Sequence, residues 1–190
     1  MKLRSAALPL VALALSACVS TASQVSTSYY SVTGTTAEQI DRDIRRKGPL
    51  NGHALAVAAI SFEPLSVLQD VSPDSCRFAA AKFRVNAAIT LPRWADKAQS
   101  TDRDLKRAWG NLSRYARDHE QVHVRIAERF AQQLGREIEA LPPQPNCDKL
   151  DRLAKRVVER NAAEHDRAQK EFDAAEQRRL RALLEARQAS

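Results

Sequence analysis

Residues 101–141 read TDRDLKRAWGNLSRYARDHEQVHVRIAERFAQQLGREIEAL. Apolar side chains recur through them at helical spacing: Leu105, Trp109, Leu112 and Ala116, then Ile126, Phe130, Leu134, Ile138 and Leu141. Such a stripe predicts one long helix with one face against a core. Thr101 and Asp104 are placed as a capping box at its start, Gly110 is the position for a bend, and Pro142, Pro143 and Pro145 stop it. Within it, His119, Glu120, Gln121, Val122 and His123 spell H-E-x-x-H. Histidines four apart on a helix differ by about 40° of rotation, so both rings leave one face and can close on a single ion. Glu120 lies about 100° round from His119, where a carboxylate reaches water beside that ion without having to ligate it. Both histidines interrupt the apolar stripe and therefore face inward, where an unpaired polar group costs roughly 1–3 kcal/mol. A shared metal ion satisfies both; hydrogen bonds from the protein, without an ion, are the alternative.

Beyond the prolines, Leu150, Leu153, Val157, Ala168 and Phe172 begin a second helical pattern that should pack on the first as an antiparallel hairpin. Before residue 101 the pattern is different. Tyr30–Thr35 is a short strand-like piece, and Ala37–Arg46 predicts a helix ending before Gly48 and Pro49. Ala54–Phe62 is apolar between Gly52 and Pro64, and Phe83, Val85, Ala87, Ile89 and Leu91 alternate with mostly polar residues as in a half-exposed strand. The expected fold is α+β: a small antiparallel sheet of three or four strands, one face covered by a hairpin of two long helices.

A catalytic zinc site usually takes three protein ligands and leaves one position open. Folding the second helix back about the proline-rich turn sets His119 and His123 opposite residues near 166–170, which brings His165 within reach. Glu164, His165 and Glu171 share the stripe of Leu153, Val157 and Phe172, whereas Asp173 points about 100° away from Phe172. His165 ranks first as third ligand, because neutral imidazole is a common partner of zinc, with Asp173, Glu164 and Glu171 as alternatives. His53, beside Gly52, reads as structural.

The N-terminus carries Lys2 and Arg4, an apolar run over Ala6–Leu15, then Leu15, Ser16, Ala17 and Cys18. Residues 1–17 resemble a lipoprotein signal peptide. That resemblance implies lipid on Cys18, a membrane-anchored chain facing the periplasm and, with Val19 next, the outer membrane; cleavage after Ala17 without lipid, giving a secreted soluble protein, is the alternative. Ser- and Thr-rich residues 18–28 read as a flexible tether, 29–175 as one domain, and 176–190 as a charged helical tail. With Cys18 lipidated, Cys76 and Cys147 remain as a pair in an oxidising compartment, and a disulfide bond between them is expected rather than two free thiols. The whole chain carries 30 basic and 23 acidic residues, formally +7; losing Lys2 and Arg4 leaves 28 against 23, or +5. These charges interleave along the helices as a solvated face, and export argues against nucleic acid as a partner.

Several separated pieces resemble, in order, a bacterial domain-of-unknown-function family described as predicted secreted zinc-dependent proteases. Tyr30-Ser31-Val32-Thr33-Gly34-Thr35-Thr36 is similar to its Y-x-V-x-G-x-T opening, Lys47-Gly48-Pro49 to its lysine-glycine-proline, and Leu91-Pro92-Arg93-Trp94 to a third signature. Trp109, His119–His123, Cys76 and Cys147 also fall in the family's order, so the likeness covers roughly residues 29–175. It implies a zincin-like metalloprotease, a hydrolase with zinc as cofactor and a peptide or protein as substrate, in which Glu120 is the general base towards water activated by zinc. It also makes Tyr30 a candidate for oxyanion stabilisation, and a sheet edge near the helix could hold an extended peptide. In third-ligand position the family pattern favours Asp173. Its closing Tyr-Asp-x-x-Thr-x-His-Gly stands here as Phe172, Asp173, Ala174, Ala175, Glu176, Gln177, Arg178 and Arg179: the aspartate is kept, and Arg178 replaces the histidine. A catalytically degenerate envelope lipoprotein, serving as a binding or structural module, is therefore the alternative function.

Overall fold

The computed structural model describes residues 22–188; the expected signal segment and the lipid-bearing Cys18 lie outside the described residues. Strand β1 spans Gln24–Val32, followed by helix α1 at Ala37–Lys47 and a short turn α2 at Pro49–Gly52. Two long strands follow, β2 at Val57–Ser72 and β3 at Ser75–Trp94, then a 3-10 turn at Ala95–Lys97 and two long helices, α3 at Arg103–Glu139 and α4 at Cys147–Gln188. The class is mixed α+β, as the alternating and helical periodicities require.

The sheet has the order β1-β3-β2. β2 runs antiparallel to β3, but β1 runs parallel to it, from Gln24↔Asn86 to Val32↔Trp94. This corrects the expectation of a wholly antiparallel sheet. Residues 33–56 start beside the end of β3 and deliver the chain to its other side, so the two outer strands flank β3 in opposite directions. The tether read over 18–28 is corrected too, because residues 24–28 are already in the ladder. Edge strand β1 is exposed along nearly its whole length and so lacks the alternation that marks a half-buried strand; its Val, Thr and Tyr residues nonetheless favour extended backbone.

In β3, Val85, Ala87, Ile89 and Leu91 are buried. Leu68 pairs with Ala80 and Gln69 with Phe78, leaving Ala79 without a partner in the ladder. This bulge shifts the side-chain phase, so Cys76 and Phe78 join Ala81 in one cluster with Leu134, Ile138, Leu150 and Val157. A second irregularity at Leu65 lets β2 continue past Pro64, where the sequence reading ended it. Helix α3 lies across β3 and approaches it closely at Gly135, where an added Cβ would meet the Ala81 carbonyl at 2.4 Å.

Asp102, not Thr101, caps α3: its carboxylate accepts from the Asp104 and Leu105 backbone N–H groups, both at 2.9 Å. α3 continues as one element through Gly110. The Cys76–Cys147 disulfide ties the start of β3 to the first residue of α4, and the backbone of Cys76 exchanges bonds with that of Gln144 at 2.7 and 2.8 Å. From that anchor α4 runs back along α3, with Arg160 Nη2 reaching Glu137 Oε2 at 2.8 Å and Asn161 Nδ2 donating to the Phe130 carbonyl at 3.2 Å. The tail expected to be helical over 176–190 continues α4 as far as Gln188. No described helix is long and apolar enough to cross a membrane.

Candidate metal centre

The hairpin register decides which side chains meet. His119 Nε2 and His123 Nε2 lie 3.1 Å apart. Asp173 Oδ1 stands 3.2 Å from the first and 3.0 Å from the second. Ligand atoms about 2.0–2.1 Å from a tetrahedral zinc ion are separated by roughly 3.3 Å, so this triangle has nearly the dimensions such an ion demands. Among the described residues, these three form the one group of His, Cys, Asp or Glu side chains placed to share an ion.

Proton placement adds to the fit. His123 Nδ1 lies 2.6 Å from Gln169 Oε1, an oxygen that can only accept, so Nδ1 carries the hydrogen and Nε2 presents a lone pair to the cluster. Asp173 Oδ1 brings lone pairs to the same point. Burial and the neighbouring His123 hold His119 below the ordinary imidazole range, against the pull of Asp173, which favours the neutral ring a metal needs. His119 Nδ1 is buried without a hydrogen-bond partner. Electron-rich atoms converging at this spacing call for a positive charge between them, supplied either by an ion or by a proton on an imidazole.

Phe172 wedges against both rings, with centroid separations of 4.8 Å to His119 and 5.1 Å to His123. Glu120 is 4% exposed. Burial pushes its carboxyl above the ordinary range and the Asp173 charge adds to this, while His123 and the Ala58 backbone N–H oppose it. A carboxylate bordering the cleft whose proton affinity is raised by burial is suited to take a proton from water.

The three site residues open into a cleft of about 570 Å³ between the start of β2 and α4. Leu55, Ala56, Val57 and Ala58 line one wall, and Gln169, Glu176, Gln177 and Leu180 the other. β2 pairs only with β3, so its outer edge borders this cleft. His53 also lines the cleft.

His165, ranked first as third ligand, stands outside the cluster of His119, His123 and Asp173. His165 Nε2 accepts from Gln169 Nε2 at 2.7 Å, and its ring packs against Phe62 and Phe130, with centroids at 5.1 and 5.5 Å; that nitrogen is committed, and Asp173 takes the place by the histidine pair. Glu164 and Glu171 do not join the cluster, and Glu171 is exposed. The hairpin pairs His123 with Gln169 and His119 with Asp173, a few residues beyond the register expected from the turn. Positions 165, 169, 173 and 177 then follow one another at about 40° per step along the cleft flank of α4 rather than on its buried seam.

Tyr30 is likewise engaged elsewhere: its hydroxyl donates to the Leu55 carbonyl at 2.9 Å, and burial pushes the phenol up to about 12. Tyr115, which sequence reasoning passed over, lines the cleft instead, with its hydroxyl donating to Glu176 Oε2 at 3.2 Å and its ring centroid 5.9 Å from that of His119. The signal was available, since Tyr115 precedes His119 by one helical step of four. Arg178 is exposed, while Arg179 pairs with Glu176 at 2.7 Å.

A family model described as a bacterial protein of unknown function (DUF922) matches residues 27–179, more than half of the chain. No curated protein and no solved structure matches it.

Proposed function

Since the chain belongs to this bacterial family of unknown function, we propose that it is a zinc-dependent peptidase of the cell envelope, with His119, His123 and Asp173 as metal ligands and Glu120 as general base. The observation that carries the reading is the triangle of two imidazole nitrogens and one carboxylate oxygen, with edges of 3.0–3.2 Å, beside a buried carboxylate one residue along the helix. The zincin-like character belongs to this proposal and rests on H-E-x-x-H and that triangle.

Zinc, when bound, supplies a Lewis acid that polarises a peptide carbonyl and makes water more acidic. The chain's own residues do the rest. His119 and His123 offer Nε2, and Asp173 offers Oδ1. The Glu120 carboxylate removes a proton from the attacking water and returns it to the departing amine nitrogen, a role its raised proton affinity serves. The outer edge of β2 along Val57–Ile60, whose Ala58 N–H already bonds to Glu120, borders the cleft and is where an extended substrate can add as a further strand. Leu55 and Leu180 add apolar surface to the cleft walls. Residues 1–17 would direct export, and lipid on Cys18 would tether the domain to the membrane, with the outer membrane as the expected destination.

The test compares the parent with Glu120→Gln, both loaded with zinc, on unfolded protein substrates. General acid–base catalysis contributes roughly 10²–10⁴-fold, so the variant should lose at least a hundredfold in rate while retaining the metal. Equal hydrolysis by the two proteins overturns the catalytic role. A parent that binds zinc and cleaves nothing supports the binding or structural module instead, the reading for which the substitution of Arg178 speaks. Radiolabelled fatty acid incorporated by the parent and not by Cys18→Ser tests the tether.

A further inference from the structure

Gln169 makes three hydrogen bonds from one carboxamide, and all three converge on histidines. Oε1 lies 2.6 Å from His123 Nδ1. Nε2 lies 3.1 Å from the His123 carbonyl oxygen and 2.7 Å from His165 Nε2. The orientation of the amide is fixed by its partners: a carbonyl oxygen can only accept, so the amide nitrogen must face it and the amide oxygen must face the ring. His165 Nε2 is then the acceptor of the second N–H, which makes His165 the Nδ1–H tautomer, held in place by Phe62 and Phe130.

We propose that Gln169 is the positioning residue of this centre: it holds His123 as the Nδ1–H tautomer, with the Nε2 lone pair facing His119 and Asp173, and it is itself held by His165. The effect on zinc rests on the metal reading given above, whereas the tautomer does not. A free imidazole prefers its other tautomer in water by a small margin, so a ring without this partner would place a proton where the ligand lone pair is required. The chain thereby uses its third site histidine behind the ligands, not among them. Outer-shell partners of this kind typically alter metal affinity by about 10–100-fold.

The experiment uses metal-free chain beginning at residue 18, labelled with ¹⁵N, at pH about 8, above the ordinary imidazole range of about 6.5. Long-range proton–nitrogen correlation spectra assign the tautomer of each histidine. The parent should show His123 protonated at Nδ1. Gln169→Leu should move His123 to a mixture or to the Nε2–H form, and Gln169→Glu, with one oxygen accepting from His123 Nδ1–H and the other from a His165 ring switched to Nε2–H, should restore Nδ1–H on His123. Zinc competition against a chelating dye should then give Gln169→Leu about 10–100-fold weaker than the parent, with Gln169→Glu recovering affinity. His123 remaining Nδ1–H in Gln169→Leu, or protonated at Nε2 in the parent, overturns the proposal, as does equal zinc affinity of Gln169→Leu and a zinc-binding parent. A parent that binds no zinc overturns the metal reading, and the spectra, recorded without metal, still decide the role of Gln169. If Gln169→Leu does not fold, an Nε2–H His123 in the folded Gln169→Glu variant refutes the proposal by itself.

Discussion

Reducing the Cys76–Cys147 bond should destabilise the fold without changing it. The bond closes a separation of 71 residues, and the loop-closure entropy removed from an unfolded chain by a link of that span corresponds to about 4.4 kcal/mol at 25 °C. Native contacts at the bridge do not depend on the bond. Cys76 stays fully buried among Leu134, Ile138, Leu150 and Val157, and its backbone N–H and carbonyl keep their bonds to Gln144 at 2.7 and 2.8 Å. The effect of reduction therefore falls mainly on the unfolded ensemble. The assay is urea unfolding of oxidised and dithiothreitol-reduced chain, both in excess chelator so that metal binding does not add its own stabilisation. With a slope of about 2 kcal/mol per molar urea, the midpoint should fall by roughly 2 M on reduction, and the slope should rise slightly as the unfolded chain expands. Midpoints within about 0.3 M of each other would refute the reasoning, as would a reduced protein lacking native near-ultraviolet dichroism before any urea is added.

Other substitutions probe separate links. Leu150→Ala, at a fully buried position in the cluster joining β3, α3 and α4, should cost about 2–5 kcal/mol in the same unfolding assay. Gly135→Ala sets a methyl 2.4 Å from the Ala81 carbonyl and should destabilise although alanine is the better helix former; a neutral result would show that α3 can shift off β3. Asp43 is buried, accepts from Thr33 N and Oγ1 at 2.8 and 2.9 Å and from Lys47 Nζ at 2.8 Å, and also pairs with Arg46. The Lys47 bond foremost, with those from Thr33 and Arg46, holds its carboxyl well below the usual range, against its burial. A folded pKa below the unfolded one means the stabilisation is complete above pH about 4 and is lost as pH falls further, through the folded value. Asp43→Asn should therefore lower stability at neutral pH by about 1–3 kcal/mol and flatten the acid limb of the stability profile; an unchanged acid limb would remove Asp43 from this role. His165→Phe keeps the packing between Phe62 and Phe130 and should still bind one zinc per chain, whereas loss of that stoichiometry would return His165 to the ligand set.

The legible parts of this chain are those whose signal is local. The stripe Trp109–Ala116–Leu134–Ile138 gives α3, the alternation Val85–Ala87–Ile89–Leu91 gives the core half of β3, and the spacing of His119 and His123 gives two donors on one face. Only the end of β1, Tyr30–Val32, was legible as a strand; residues 24–28 escaped because an exposed edge strand receives its order from the ladder to β3, and a Ser- and Thr-rich sequence resembles a linker. The parallel pairing of β1 depends on where residues 33–56 deposit the chain, which no local pattern encodes. Which of His165 and Asp173 stands beside the histidine pair turns on hairpin register. That register is set by the Pro142–Asn146 turn, its backbone bonds from Gln144 to Cys76 and the disulfide at the start of α4, and a displacement of a few residues exchanges one cleft-facing side chain for the next.

The proposed peptidase stands or falls with His119, His123 and Asp173 holding one zinc ion together. Calorimetric titration of zinc into metal-free chain, for the parent and for Asp173→Ala, tests it most directly. The parent should take up one zinc per chain and the variant should lose at least a hundredfold in affinity, since removing one of three protein ligands from a site worth about 10–16 kcal/mol costs several kcal/mol. Equal zinc affinity in the two proteins, or no zinc bound by a correctly folded parent, contradicts it.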